Sequence, residues 1–326
     1  MLENNNRNAR FLARMGAQGT YGQAIFDLAE DDNDFFAVSA DLGVASGLDR
    51  LKKSYGEKYV NVGIAEQNMI SIAAGLADKD TPVFASSWAP FATYRCADQI
   101  RVFAGIMQKN IKIVGLASGM HIPKFGSSHY GLGDIALMRS ISNITIVAPC
   151  DGLEIYHAIH QTAKISGPVY IRLTGGDLMP IINNWESMEF EIGKASWLKK
   201  GEDVAFIGCG CILSIINKVA ERLDEDGISC SVINMHTIRP LDLHSIDECI
   251  KYKLIVTVEE HSVLGGLGSA VCEYVATKSN HPPIIKLGVN DFYPISGEYD
   301  YLLRQCGLDT DTIYERVKTR LCGGTI

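Results

Sequence analysis

Two tandem α/β domains, each a doubly wound parallel sheet, are predicted by three features of this sequence. Short apolar runs rich in β-branched residues alternate with amphipathic stretches. That rhythm breaks once, in TGGDLMPIINNWESMEFEIGKA (174–195), and then resumes. Unbroken apolar strands separated by helices imply a sheet covered on both faces, and 326 residues leave room for about two domains of ordinary size.

In chain order, the first unit offers DFFAVSA (34–40), TPVFAS (81–86), IKIVGLAS (111–118), ITIVAP (144–149) and PVYIRL (168–173) as strands. Between the first two lies VNVGIAEQN (60–68), where a strand-like stretch meets one carboxylate, Glu66, at the start of a helix. Val62, Gly63, Ile64 and Ala65 precede it, and Met69 and Ile70 follow. Such an acid has two readings: a first-turn residue that favours the helix dipole, or a group held in an apolar pocket to share a proton. The clearest helix start is Asp151, an N-cap with Glu154 three residues on in a capping-box pattern. The Gly, Pro and Asn residues of 174–195 read as an interdomain crossing. They divide the chain into 1–183 and 184–326. The second unit then offers DVAFIG (203–208), SCSVINM (229–235), LIVTVE (254–259) and IIKLGV (284–289), with helices between.

Composition excludes several classes. A net charge of −8, a pI near 5.5 and no Lys/Arg block argue against nucleic-acid binding. No apolar run is long enough to span a bilayer, and MLENNNRNAR lacks the apolar core of a secretory signal. Nine cysteines scattered through apolar segments fit buried thiols in a reducing compartment. Cys209 and Cys211 have no second pair or His cluster at zinc spacing. VAFIGCGCILSIINKV puts Gly208 and Gly210 after a strand, but Leu213 stands at the third glycine position and Asn234 where an acid should meet a ribose. That is an ordinary strand–helix turn rather than a dinucleotide fingerprint.

Several ordered segments together carry a family resemblance. GIAEQN, SSWAPFATYRCADQI, GSSHYGLGDIALMRSISNITIVAPCD and GPVYIR resemble the pyrimidine-binding domain of transketolase-type thiamine diphosphate enzymes. INMHTIRPLD, TVEEHSVLGGLGSAV and SGEYDYLLRQCGLD resemble the C-terminal domain of the same family. The resemblance implies that Glu66 hydrogen-bonds N1′ of the aminopyrimidine and favours the imino tautomer that activates thiazolium C2. Trp88, Phe91 and Tyr94 stand at i, i+3 and i+6 with Pro90 in the first helical turn. By spacing they are a core-facing aromatic stripe; by resemblance they hold and stack on the aminopyrimidine. His129, in the glycine-bounded GSSHYG, matches the family histidine that stabilises the substrate alkoxide. Asp41, in SADLG, matches an acid near the cofactor across the subunit interface, and equally reads as a turn or cap residue.

The family's Gly-Asp-Gly with a downstream Asn, which holds the diphosphate through Mg²⁺ (or Ca²⁺), is missing from the sequence. The resemblance therefore implies that an N-terminal subunit supplies the metal site, in a cytoplasmic α₂β₂ assembly. On the substrate side, the family's phosphate contacts become Gln18, Ala117 and Gly175, and its hydroxyl-reading acid becomes Phe125. Arg172, His121 and Lys124 are the residues able to compensate. The implied activity is transfer of a two-carbon ketol unit between sugars, at least one of them unphosphorylated or nucleotide-linked. The β-subunit of a 2-oxo acid dehydrogenase and a deoxyxylulose-phosphate synthase-like carboligase are the alternatives with the same cofactor. A non-catalytic dinucleotide-binding or assembly protein is the alternative without it.

Overall fold

The computed structural model describes residues 2, 3, 5–183, 186 and 188–323. The first unit contains β1 (Phe36–Ser39), β2 (Tyr59–Asn61), β3 (Val83–Trp88), β4 (Ile111–Leu116), β5 (Thr145–Val147) and β6 (Val169–Arg172). The second contains β7 (Ser196–Lys199), β8 (Val204–Gly208), β9 (Cys230–Asn234), β10 (Thr237–Arg239), β11 (Leu254–Ser262) and β12 (Ile284–Val289). The apolar runs thus form strands as expected. Every residue of β4, β6, β8 and β9 is buried, the pattern of parallel strands with helices on both faces.

The two sheets run β10-β5-β6-β4-β3-β1-β2 and β12-β11-β8-β9-β7. Both are doubly wound and mainly parallel, as expected, and each adds one antiparallel edge strand. β10 pairs antiparallel with β5, and β7 antiparallel with β9. β10 follows β9 after only Met235 and His236. A parallel partner in the same sheet would need a crossover of a dozen or more residues. The chain instead crosses to the other sheet, so three residues of the second unit close the edge of the first. The expected boundary between 183 and 184, and the split near 185, run into residues 184 and 185, which lie outside those described.

One long element carried no sequence expectation. Helix Asn6–Glu30 starts at Asn5, whose side chain accepts the Asn8 N–H, and buries Leu12, Tyr21 and Ile25. Gly16 interrupts it with φ of 69°, and the adjacent Ala17 N–H donates to the Gly176 carbonyl at 3.3 Å. A side chain at Gly16 would strike that carbonyl, so the kink admits the 174–178 loop beside Gln18.

The predicted cap at Asp151 forms: its Oδ1 accepts the Glu154 N–H at 2.9 Å, and Glu154 Oε2 accepts the Cys150 N–H at 2.7 Å. Asp151 Oδ2 also accepts the N–H groups of Ile182 and Asn183, at 3.0 and 2.8 Å, tying the crossing segment to the first unit. Seven of the nine cysteines are buried and all are free thiols. No helix among the described residues is long and apolar enough to cross a membrane.

Candidate active site

Glu66 is the first residue of helix Glu66–Leu76 and is only 4 % exposed. Its Oε1 accepts a hydrogen bond from Arg95 Nη1 at 2.7 Å. The same guanidinium lies over the Phe91 ring, 4.1 Å from its centroid. A planar, cationic N–H donor is therefore held between a buried carboxylate and an aromatic face. An aminopyrimidine is likewise planar, and its ring nitrogen accepts a hydrogen bond from a carboxyl O–H or donates to the carboxylate once it has taken the proton, so a buried carboxyl group beside an aromatic face fits that group.

The aromatic segment is not buried as a core-facing stripe. Trp88 ends β3 and is half-buried, as is Phe91, while Tyr94 is 52 % exposed. The helix Ala89–Thr93 is about one turn long, and of the three aromatics Trp88 lines a cleft. Gly133 lies directly under the Tyr94 hydroxyl, where any side chain would collide. Partial burial and Asp134 push that hydroxyl up to about 12.

His129 closes the short turn Ser127–His129. Its ring meets Phe91 edge-on at 5.1 Å and Phe125 at 5.0 Å, and its Nδ1 lies 3.0 Å from Ser128 Oγ. Glu66, Phe91 and His129 are thus linked through consecutive contacts, though they come from three separate segments. Asp41 is exposed just after β1, with φ of 59°. Two hydrogen bonds of 3.1 Å, one through its N–H and one through Oδ1, tie it to the Asn61 side chain. That pair joins the ends of β1 and β2, which supports the turn reading of Asp41.

The substrate candidates divide. Gln18, His121, Lys124, Phe125 and Gly175 line one cleft of about 660 Å³ that reaches Trp88. Arg172 does not, and the expectation that it contacts substrate is corrected. Its guanidinium is fully buried: Nε donates to Asp134 Oδ2 at 2.8 Å, and Nη2 to the carbonyls of Gly131 and Glu260 at 3.0 and 2.9 Å. Tyr170 donates to the same Asp134 oxygen at 2.6 Å. Arg172 is a buried tie between the two units because a charge that deep persists only when paired.

Arg95 escaped sequence reasoning, although its position four residues after Phe91 was the available signal. So did Glu260 and Tyr299. His121 Nε2 lies 3.1 Å from Glu260 Oε2, Tyr299 donates to that oxygen at 2.7 Å, and the His121 and Tyr299 rings stack at 4.6 Å. Burial pushes the Glu260 carboxyl up, but His121 and the hydrogen bonds from Met120 and Tyr299 outweigh it and hold the group below its usual range. Among the described residues no group of three or more His, Cys, Asp or Glu is placed to hold a metal ion.

These features belong to one enzyme class. The pattern of the transketolase pyrimidine-binding domain matches residues 15–180, and that of the transketolase C-terminal domain matches residues 193–313. The chain belongs to the transketolase family, as a C-terminal subunit of the split type. It is 37 % identical to a putative transketolase C-terminal section of Methanocaldococcus jannaschii, over 93 % of this chain and 95 % of the relative. It is 35 % identical to a 6-deoxy-6-sulfo-D-fructose transketolase subunit of a Clostridium species, over 90 % and 91 % of the two chains. A solved split-gene transketolase, described as an inactive β4 tetramer, superposes with a TM-score of 0.83 at 32 % identity, over 94 % of this chain and 97 % of that one.

Proposed function

We propose that this chain holds the aminopyrimidine end of thiamine diphosphate in a two-subunit transketolase-like enzyme. The reaction moves a two-carbon ketol unit between sugars, at least one of them unphosphorylated or nucleotide-linked. The observation that carries the reading is the Glu66–Phe91 pair, a buried carboxylate and a ring face already engaging a planar N–H donor.

When bound, thiamine diphosphate supplies the carbon nucleophile that breaks and makes the C–C bond. Glu66 exchanges a proton with the ring nitrogen nearest it, in a site dry enough for that proton to be shared. Phe91 and Trp88 orient the ring, with Tyr94 at the rim. His129 donates to the oxygen that becomes anionic as the substrate C–C bond forms or breaks. Its Nδ1 is beside Ser128, leaving Nε2 without a partner among the described residues.

The diphosphate and its Mg²⁺ require hard oxygen ligands and are assigned to an N-terminal partner subunit. Exposure at the rim supports this. Val44 and Ile64, on the loops that carry Asp41 and Glu66, are 81 % and 80 % exposed. Apolar surface of that kind beside a candidate site favours a covering subunit. The relative that forms an inactive β4 tetramer is a further reason to expect activity only with the partner, in an α₂β₂ assembly.

The test is reconstitution with a partner subunit carrying Gly-Asp-Gly and a downstream Asn, followed by NMR measurement of thiazolium C2–H exchange. Glu66→Gln should slow exchange by orders of magnitude while the complex still assembles. Wild-type exchange in that variant would reduce Glu66 to a helix-turn acid. Acyl transfer to a lipoyl arm in place of ketol transfer would establish the dehydrogenase alternative.

A further inference from the structure

The cleft that holds the candidate substrate residues is built by both domains. From the second come Ser214, Ile215, Lys218, Tyr299 and Leu303, opposite Gln18, His121 and Phe125 of the first. Phe125 connects this space to the chemistry, since its ring lies against His129, tilted, at 5.0 Å. On the ketol-transfer reading, a sugar reacting beside His129 would pass Phe125 and present its far end to the second domain.

Acidic side chains accompany the basic ones in that space. His121 is matched by Glu260 at 3.1 Å and Lys124 by Glu298 at 3.3 Å. Lys218 has no ion pair among the described residues, but Asp177 and Asp300 line the same cleft. Arg172, the remaining cation expected here, is buried against Asp134. Apolar groups meanwhile stand open: Phe125 is 64 % exposed and Leu178 is 71 % exposed, with Ile215 half-buried nearby. A terminal phosphate entering here would meet Lys218 as the unpaired cation among the described lining residues, with Asp177 and Asp300 in the same lining and open apolar groups around it, whereas a methyl or alkyl group would cover exposed apolar surface. At about 660 Å³ the cleft is of a size that encloses a whole small ligand, well beyond a hydroxymethyl group.

We infer that the second domain is a specificity element. Its residues, Ile215 foremost, select a sugar whose far end is uncharged and deoxygenated or alkylated. This rests on the ketol-transfer reading. Glu260 and Tyr299 act as positioning residues: they hold His121 in place, and the Glu260 carboxylate beside its ring opposes a phosphate there.

The experiment uses the reconstituted two-subunit complex with ribose, 5-deoxyribose and ribose 5-phosphate as matched acceptors. Wild type should use 5-deoxyribose at least as well as ribose, and both at least 10-fold better than the phosphate ester in kcat/KM. Ile215→Lys adds a cation to the second-domain wall and should raise use of the ester about 10-fold while lowering that of 5-deoxyribose, chiefly through KM. Leu178→Lys, at a more exposed site on the opposite wall, should move the ratio in the same direction. Tyr299→Phe should raise KM for all three acceptors with little change in kcat. C2–H exchange in the wild-type complex separates the two layers of the argument. Exchange with a wild-type preference for the ester, or a ratio unmoved by Ile215→Lys and Leu178→Lys, overturns this inference and leaves the cofactor reading standing. Absence of exchange overturns both.

Discussion

Replacing Arg95 by methionine is expected to tighten binding of thiamine to this chain, because the guanidinium occupies the two contacts that an aminopyrimidine needs. Displacing it breaks a charge-assisted hydrogen bond to Glu66 and a cation–π contact with Phe91. The first is worth about 1.5–3 kcal/mol net and the second about 0.5–1 kcal/mol at an exposed site. The Arg95 side chain is 43 % exposed, so solvent screening sets the lower end of each range. A competition cost of about 2 kcal/mol corresponds to roughly 30-fold in affinity. Methionine keeps an apolar side chain beside Phe91 while removing the donor. Titrating the whole chain with thiamine by calorimetry, with Trp88 fluorescence as a second signal, measures the effect directly. The gain should shrink at high salt, which weakens the wild-type pair. Equal affinity in the two proteins would show that Arg95 does not compete. Weaker binding by the variant would show that it instead anchors Glu66 for the ligand.

The remaining expectations concern separate parts of the molecule. The lone chain should bind thiamine diphosphate with Mg²⁺ far more weakly than the reconstituted complex, and tight stoichiometric binding in calorimetry would refute the shared site. His129→Ala in the complex should lower kcat by about 10²–10³ while C2–H exchange persists; a parallel loss of exchange would place His129 in cofactor activation instead. Arg172→Met leaves Asp134 charged and buried and should cost about 3–5 kcal/mol in urea unfolding, with a loss below 1 kcal/mol ruling out a structural tie. Glu154 is fully buried, and burial, then Asp151, push its carboxyl up to about 7 from 4.5. The folded state therefore retains a proton that the unfolded chain releases, so stability falls as pH rises from about 4.5 to 7, by up to about 3 kcal/mol. Urea unfolding across that window should show this decline in wild type and not in Glu154→Gln; equal slopes would exclude the assignment.

Much of this protein is written locally. The strand cores were legible because a buried parallel strand needs an unbroken apolar run, and β4, β6, β8 and β9 have one. The cap at Asp151 was legible because its donors lie within four residues. Glu66 was legible as unusual because a single carboxylate sits among Val62, Ile64, Met69 and Ile70. Helix Asn6–Glu30 was not legible, since Gly16 and the polar segment before it interrupt the apolar period.

Only tertiary structure could decide the charges. Arg172 and His121 are both basic residues in sequence, yet one is sealed against Asp134 and the other is held at the cleft by Glu260, 139 positions away. The same holds for β10, whose three residues carry no mark of belonging to the first sheet. Local patterns record what a residue's neighbours in the chain require. Whether a charge is free, paired or buried depends on groups distant in sequence: Asp134 lies 38 positions from Arg172 within the first domain, and Glu260 reaches His121 from the second.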